Sequence, residues 1–452
     1  MMNQHWIQDA VFYHIYPLGL CGAPARNDFA APPIPRLDQL YPWIDHLQGM
    51  GINALYLGPV FESSAHGYDT VDYFKVDRRL GDNQTLKALV RALKDRGIRI
   101  ILDGVLNHVG RDFWAFRDLQ DKGQQSPYRD WFYNLNFDQR SPYGDLFSYE
   151  GWAGHYDLVK LNIAHPQVRQ HLWDALTFWI TEFDIDGLRL DAADQFDSDF
   201  LRPLAAHCRS LKPDFWLVGE VVHGDYRQWA NADLLDATTN YECYKGLYSS
   251  HVDCNYFEIA HSLKRQFGQG GLYRDLRLYN FADNHDVNRV ASSLTNPAHL
   301  YPLYGLLMTM PGVPSIYYGS EWGISGKRTA YSDRALRPAI DLGRDTQHFP
   351  HPDLVDAIRR LIRVRQELPA LRYGDYEERF ISHQQLAFSR HADAQTVLIA
   401  VNAADQKVPI RLTGLNGRVL RDRLNADETF QLEGGVVTLD LPPSWLRILL
   451  LE

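Results

Sequence analysis

Cysteine is scarce, with 4 in 452 residues, at positions 21, 208, 243 and 254. They are scattered without zinc-type spacing, so reduced thiols in a cytoplasmic protein are the expectation, with a Cys243 to Cys254 bridge as the alternative. Positive charge is also short: 46 Lys and Arg against 56 Asp and Glu leave a formal net charge of −10. A phosphate backbone is bound through a basic face, so no nucleic-acid partner is expected and a neutral ligand fits better. Apolar runs long enough to span a bilayer are lacking, and no membrane role is expected. The opening, MMNQHWIQDAVFYHIYPLGL, has no basic stretch followed by a clean apolar run, so no secretory leader is read from it. Internal repeats and low-complexity stretches are missing too.

What remains is the composition of a globular chain with a sizeable core, 45% hydrophobic and 23% charged. Aromatic residues reach 13%, among them 11 Trp and 25 Tyr. They serve first as core and second as flat apolar surfaces on which sugar faces can stack. From Val11 to about residue 368, short β-rich runs alternate with longer amphipathic stretches. Candidate strands are Val11 to Tyr16, Ala54 to Leu57, Ile98 to Asp103, Gly187 to Asp191, Phe215 to Glu220, Leu234 to Ala237, Leu276 to Phe281 and Ser315 to Tyr318. Helical patterns fall between them, such as Gln84 to Arg96, Pro166 to Phe183 and Leu300 to Met310. Eight strands with intervening helices predict a closed (β/α)8 TIM barrel of the α/β class over residues 1–108 and 166–370. The stretch 109–165 is rich in Tyr, Trp, Asp and Gly and breaks the rhythm, which predicts a small subdomain inserted after strand three. Residues 371–452 change to short alternating runs, including Val397 to Val401, Val408 to Leu412 and Leu446 to Leu450, as in an antiparallel β-sandwich.

Reactive groups of such a barrel stand at the C-terminal ends of its strands. DGLRLDAAD puts Arg189 and Asp191 two residues apart at the end of strand four, so both side chains turn to the same side. An arginine beside a carboxylate keeps it ionised, as a nucleophile requires, although a plain ion pair is an equal reading of this string alone. WLVGEVVH ends strand five with Glu220 emerging from apolar residues, a setting that raises a carboxyl's pKa and suits a general acid. Two carboxyls on neighbouring strand ends can reach the separation of about 5 to 5.5 Å found in retaining glycosidases. Strand seven adds Asn284, His285 and Asp286, where a third carboxylate can stabilise an oxocarbenium-like centre without covalent contact. Strand three carries Asp103, Asn107 and His108; the histidine can donate to a sugar hydroxyl and Asp103 can support the neighbouring arginine.

These four strings, in this order and on strands three, four, five and seven, closely resemble characteristic segments of the α-amylase family. The resemblance covers essentially the whole chain. It implies that Asp191, Glu220 and Asp286 are catalytic and that Tyr68, in PVFESSAHGYDTVDY, stacks on the glucose at the cleavage site. It further implies that His108 and His285 contact the sugar before the scissile bond and that Arg189 orients the nucleophile. Asp333 and Arg337, in SDRALRPAI, would bind the next sugar unit, a surface ion pair being the alternative. In GVPSIYYGSEWG, Ser320 stands where the family usually has aspartate, away from the catalytic positions. SPYRDWF and LVKLN, with Lys160, resemble the cyclomaltodextrinase, neopullulanase and maltogenic amylase group.

Three departures from that group stand out. The chain begins at the first barrel strand, without the group's usual N-terminal β-domain, so its oligomeric state is left open. Val222 replaces a tryptophan that shapes the acceptor side. YHIYPLGLCG lacks an acidic segment that can hold calcium, so no cofactor or metal is expected. The implied activity is retaining hydrolysis of α-1,4 bonds in maltooligosaccharides or cyclodextrins, with transglycosylation as a side reaction. An α-glucosidase, a glucosyl transferase or an isomerase on the same scaffold is the alternative; a non-catalytic sugar-binding protein would be expected to have lost one of the three carboxyls.

Overall fold

Short apolar runs of β-branched and aromatic residues become eight parallel strands in the computed structural model, which describes residues 6–452. They are β1 (Phe12–Ile15), β2 (Ala54–Leu57), β3 (Arg99–Gly104), β4 (Gly187–Leu190), β5 (Trp216–Gly219), β6 (Ala237–Thr238), β7 (Tyr279–Phe281) and β8 (Val313–Tyr317). Their order in the sheet is β6-β5-β4-β3-β2-β1-β8-β7. A parallel bridge between Thr239 and Tyr279 joins the two remaining edges, so the (β/α)8 barrel closes. Period-2 alternation then sorts the side chains. Phe12, Tyr56, Ile101, Trp216, Val218 and Tyr279 fill the barrel interior as one cluster. Tyr13, Leu55, Ile100, Leu102, Leu188 and Leu217 face the surrounding helices and belong to the larger core. Continued past the strand ends, the inward register delivers Asp103, Arg189, Asp191 and Glu220 to the rim.

The helices follow local signals. In α1 (Asn83–Asp95), Asp82 and Thr85 form a reciprocal cap, and Leu86, Leu89, Val90 and Leu93 make the buried stripe. α2 (Pro166–Phe183) begins on proline and ends at Asp184 in the left-handed conformation. α3 (Tyr241–Val252) and α4 (Phe257–Phe267) pack side by side. α5 (Leu300–Thr309) is buried on nearly every side, because it lies between the barrel and the C-terminal sheet.

Several expectations shift. The sixth strand occupies only Ala237–Thr238, not Leu234 to Ala237. Leu234 and Leu235 instead form a turn, where Leu235 bridges back to Ala230. The seventh is also shorter, starting at Tyr279. An antiparallel hairpin, Phe61–Ser63 with Thr70–Val76, follows β2 and was not foreseen. After β3 the strands His108–Gly110, Gly151–Trp152 and His155–Lys160 form a small antiparallel sheet beside the helix Trp114–Lys122. The C-terminal segment has a six-stranded antiparallel sheet and a two-stranded one, Val408–Leu412 with Val437–Leu441. Ala387, Leu398, Ile410, Leu420, Leu439 and Leu449 form the core they share. All four cysteines are free, so Cys243 and Cys254 form no bridge.

Candidate active site

One guanidinium gathers three carboxyl groups from adjacent strand ends. Arg189 donates from one terminal nitrogen to Asp103 Oδ1 at 2.9 Å and to Asp191 Oδ1 at 2.8 Å. Its other terminal nitrogen lies 2.7 Å from Glu220 Oε2. Burial pushes Asp191 well above the ordinary carboxylate range; the direct bond from Arg189 opposes this, and the charges of Glu220, Asp103 and Asp286 reinforce it. An arginine beside Asp191 is therefore not a sufficient account of its charge, since one cation serves three carboxyls in a site nearly closed to water. Backbone geometry completes the pair. Ala192, directly after Asp191, has φ 47°, in the left-handed region, and its N–H points at Glu220 Oε2, 3.3 Å away. Gly219 leaves room for that approach: a Cβ there would stand 2.7 Å from the Ala193 Cβ and 2.6 Å from Leu235 Cδ1.

Asp286 sits in a tight turn after β7, where Asn284 Oδ1 accepts the N–H groups of Asp286 at 2.8 Å and Val287 at 3.2 Å. Its carboxylate meets His285 Nε2 at 2.9 Å and an Arg337 terminal nitrogen at 3.1 Å. Desolvation in the cleft pushes Asp286 up, but His285, Arg337 and Arg189 hold it below the usual carboxylate range. Arg337 also reaches Asp333 Oδ2 at 2.6 Å and lies over the Tyr16 ring at 4.5 Å. With only 10% of the arginine side chain exposed, the Asp333 to Arg337 contact is part of the cleft and not a free surface pair.

Tyr68 donates to Asp103 Oδ2 at 2.8 Å and lies parallel to His285, with ring centroids 5.3 Å apart. Asp103 supports the neighbouring arginine. None of its side chain is exposed, and its oxygens are taken by Tyr56, Tyr68 and Arg189. It positions the arginine and the tyrosine and has no free face for a sugar. His108 is buried with its Nε2 3.8 Å from Asp191 Oδ2 and no hydrogen-bond partner. The Asn107 amide faces its Nδ1 at 3.3 Å, which assigns the ring proton to Nε2. Burial lowers His108 to about 3, so the ring is neutral. A neutral donor aimed beside Asp191 suits a sugar hydroxyl.

Some members of the site were not anticipated. Tyr241, the first residue of α3, donates to Glu220 Oε1 at 3.2 Å and accepts from the Asn284 amide at 3.3 Å. Its only sequence signal is its place just after strand six. Tyr56 supports Asp103 from inside the barrel, and Tyr16, just past the end of β1, lies under Arg337. Ser320 donates to both Asp283 oxygens at 2.9 and 2.8 Å and accepts from Arg289 at 3.0 Å, away from the carboxyl cluster. The cluster lies between two cavities. One, of about 890 Å³, is lined by Tyr241, Val222 and His223 on the Glu220 side. The other, of about 690 Å³, is lined by Tyr16, His66, Asp333 and Arg337 on the Asp286 side. Among the described residues, no group of three or more His, Cys, Asp or Glu is arranged to hold a metal ion, and no helix is long and apolar enough to cross a membrane.

Comparison with known proteins gives this geometry a context. The family profile "Alpha amylase, catalytic domain" matches residues 37–351, and "Maltogenic Amylase, C-terminal domain" matches residues 379–448. The chain is 31% identical to a cyclomaltodextrinase of Geobacillus thermopakistaniensis (strain MAS1), over 97% of this chain and 76% of that protein. Among solved structures it resembles the Nostoc punctiforme debranching enzyme at 28% identity and TM-score 0.83, with 98% of each chain covered. It also resembles the cyclic α-maltosyl-(1→6)-maltose hydrolase of Arthrobacter globiformis at 27% identity and TM-score 0.82, with 99% of each chain covered.

Proposed function

The chain belongs to the α-amylase family of glycoside hydrolases, and from that membership we propose that it cleaves α-1,4 bonds in short maltooligosaccharides or cyclodextrins with retention at the anomeric carbon. The observation that carries this reading is the attachment of Asp191 and Glu220 to the two terminal nitrogens of the Arg189 guanidinium. Two carboxyls held on one fork are close neighbours, as the direct attack of retaining enzymes requires, whereas inverting enzymes need a wider gap that admits a water. Asp191 attacks the anomeric carbon while Glu220 gives its proton to the leaving oxygen. Water then enters, Glu220 takes its proton, and the glycosyl bond to Asp191 breaks. Asp286, kept ionised by His285 and Arg337, stabilises the developing positive charge. Tyr68, His108, His285, Asp333 and Arg337 hold the donor sugars. The scheme calls for no metal ion, and the scarcity of cysteine, all of it free, supports a cytoplasmic setting.

A second reading extends the substrate to α-1,6 bonds. It is favoured by the two full-length structural relatives named for debranching and for a (1→6)-linked cyclic substrate. The deciding experiment is a panel of maltotriose, β-cyclodextrin and pullulan, with products identified by chromatography and the new anomer by proton NMR. Asp191→Asn and Glu220→Gln should each lower kcat on the order of 10³-fold or more while far-UV circular dichroism stays unchanged. Near wild-type turnover in either variant would remove the assignment.

A further inference from the structure

Beyond β8 the chain runs out over the barrel rim as an arm, residues 326–336, before it brings Arg337 to Asp286. Every residue from Lys327 to Ala335 is exposed or half-buried, whereas Gly326 and Leu336 at its two ends are buried. An arm without a core of its own owes its shape to its ends. Arg289, fully buried in the turn after β7, holds both of them. Its backbone N–H donates to the Gly326 carbonyl at 3.0 Å. Its Nε and one terminal nitrogen donate to the Leu336 carbonyl at 3.1 and 2.8 Å. The other terminal nitrogen donates to the Tyr318 carbonyl at 2.6 Å and to the Ser320 hydroxyl at 3.0 Å, which fastens the guanidinium to the end of β8. Tyr317 gives the Leu336 carbonyl a third donor at 3.1 Å, and its ring lies 4.0 Å from the guanidinium. The packing needs a glycine at 326: a Cβ there would overlap the Ala335 carbonyl oxygen and stand 3.0 Å from Arg289 Cγ.

We propose that Arg289 is a positioning residue which, by stapling both ends of this arm, sets where Arg337 stands against Asp286; the inference rests on the hydrolase reading above. The Leu336 carbonyl belongs to the same planar peptide unit as the Arg337 nitrogen. Fixing that carbonyl with three donors therefore fixes the plane from which Arg337 springs. From there Arg337 meets Asp286 Oδ1 at 3.1 Å and Asp333 Oδ2 at 2.6 Å, and donates to the His285 carbonyl at 3.1 Å. Asp333 rides on the arm itself. The planar fork of Arg289 does the holding: two of its nitrogens converge on Leu336 while the third turns to β8. A lysine brings a single point charge and cannot serve both. The side-chain partners of Arg289 are neutral oxygens, and negative charge reaches it through Ser320, whose hydroxyl donates to Asp283 at 2.9 and 2.8 Å. Arg289 thus acts on the reaction through Arg337 and not through a contact of its own with the catalytic carboxyls.

The test is a double-mutant cycle of Arg289→Lys with Arg337→Ala, read as kcat/KM on maltotriose. Arg289→Lys alone should lower kcat/KM by about 10-fold, since small misplacements of a positioning group are costly. Arg337→Ala should lower it at least as far. If Arg289 acts through Arg337, the double variant stays within about twofold of Arg337→Ala, whereas independent losses multiply. A general loss of structure would multiply in either background. Trypsin gives a reading that does not depend on activity, because the arm carries exposed Lys327, Arg328 and Arg334. Arg289→Lys should speed nicking at these sites by about 10-fold or more. Should Arg289→Lys fail to fold, Tyr317→Phe enters the same cycle; it removes one of the three donors to Leu336, with a fall of about threefold expected. A wild-type rate in Arg289→Lys, or losses that multiply, would overturn the proposal and leave the hydrolase reading intact. A wild-type enzyme that cleaved no α-glucan would overturn the hydrolase reading, and trypsin resistance unchanged by Arg289→Lys would then overturn the staple as well.

Discussion

Arg189 is the residue on which the site turns, because a single buried cation is asked to balance Asp103, Asp191 and Glu220. Asp191 must be ionised to attack, and burial raises its pKa. Activity should therefore fall on acidification from a point above the ordinary carboxylate value of about 3.9. A pH profile of kcat/KM whose acid limb lay at or below that value would contradict this. Glu220 raises a second question, since its free oxygen is held by a phenol the sequence reading passed over. Tyr241→Phe removes only the hydroxyl that donates to Glu220 Oε1. A hydrogen bond to a charged group is worth about 1.5 to 3 kcal/mol, so kcat should drop by about 10-fold or more with KM little changed. Unaltered kcat would show that the contact does nothing in the reaction. Asp191, Glu220 and Asp286 were legible because carboxyls at strand ends announce themselves. Asp103 was legible as a support for Arg189, whereas its bonds from Tyr56 and Tyr68 left no signal in the sequence.

At the scale of elements, chemistry depends on how strands four and five stop. Leu190 and Gly219 end their strands side by side, and the left-handed Ala192 then turns its N–H toward Glu220. Such a conformation costs a residue with a Cβ about 1–3 kcal/mol, so the surrounding packing must hold it. Gly219 is a packing element that leaves little slack. Gly219→Ala would force contacts of 2.6 and 2.7 Å with Leu235 and Ala193. Relief requires the end of β5 to move and carries Glu220 with it. We expect a loss of about 1–3 kcal/mol in stability, read by chemical denaturation, together with a larger proportional loss of kcat. Full activity at reduced stability would show that Glu220 does not depend on this contact. Long elements were readable from sequence; α2 runs over Pro166–Phe183 as expected, with proline at its start and a chain reversal after it. Two-residue β6 was not, since a run so short has no period to detect, and the leucines before it pack as a turn. The hairpin after β2 was missed for a related reason, its alternation being broken by register shifts at Phe61, Glu62 and Ser63.

The whole molecule behaves as one packed body because its main core does not stop at the barrel. Phe388, Ile399, Val401 and Ile448 of the C-terminal sheet belong to the same cluster as the helices and outer strand faces of the barrel. Polar clamps cross the same seam. Arg390 donates to the Thr309 carbonyl at 2.6 Å at the end of α5, where unpaired helix carbonyls favour a cation. His299 joins the His251 carbonyl of α3 to that of Ala403, just past a strand of the C-terminal sheet, both at 3.0 Å. Acid should attack this body as a unit. Burial lowers both His108 beside the catalytic cluster and His251 near the seam to about 3, whereas each titrates near 6.5 in the unfolded chain. Between those values the unfolded state binds more protons, so stability is retained above about pH 6.5 and lost as pH falls toward 3. Each of the two histidines contributes up to ~1.4 kcal/mol per pH unit across that window. Thermal melts at fixed ionic strength should therefore show a single transition whose midpoint drops steadily from pH 6.5 to 4. A level or rising midpoint would remove the histidines as the cause, and a second transition for the C-terminal sheet would show that the shared core does not bind the two parts together.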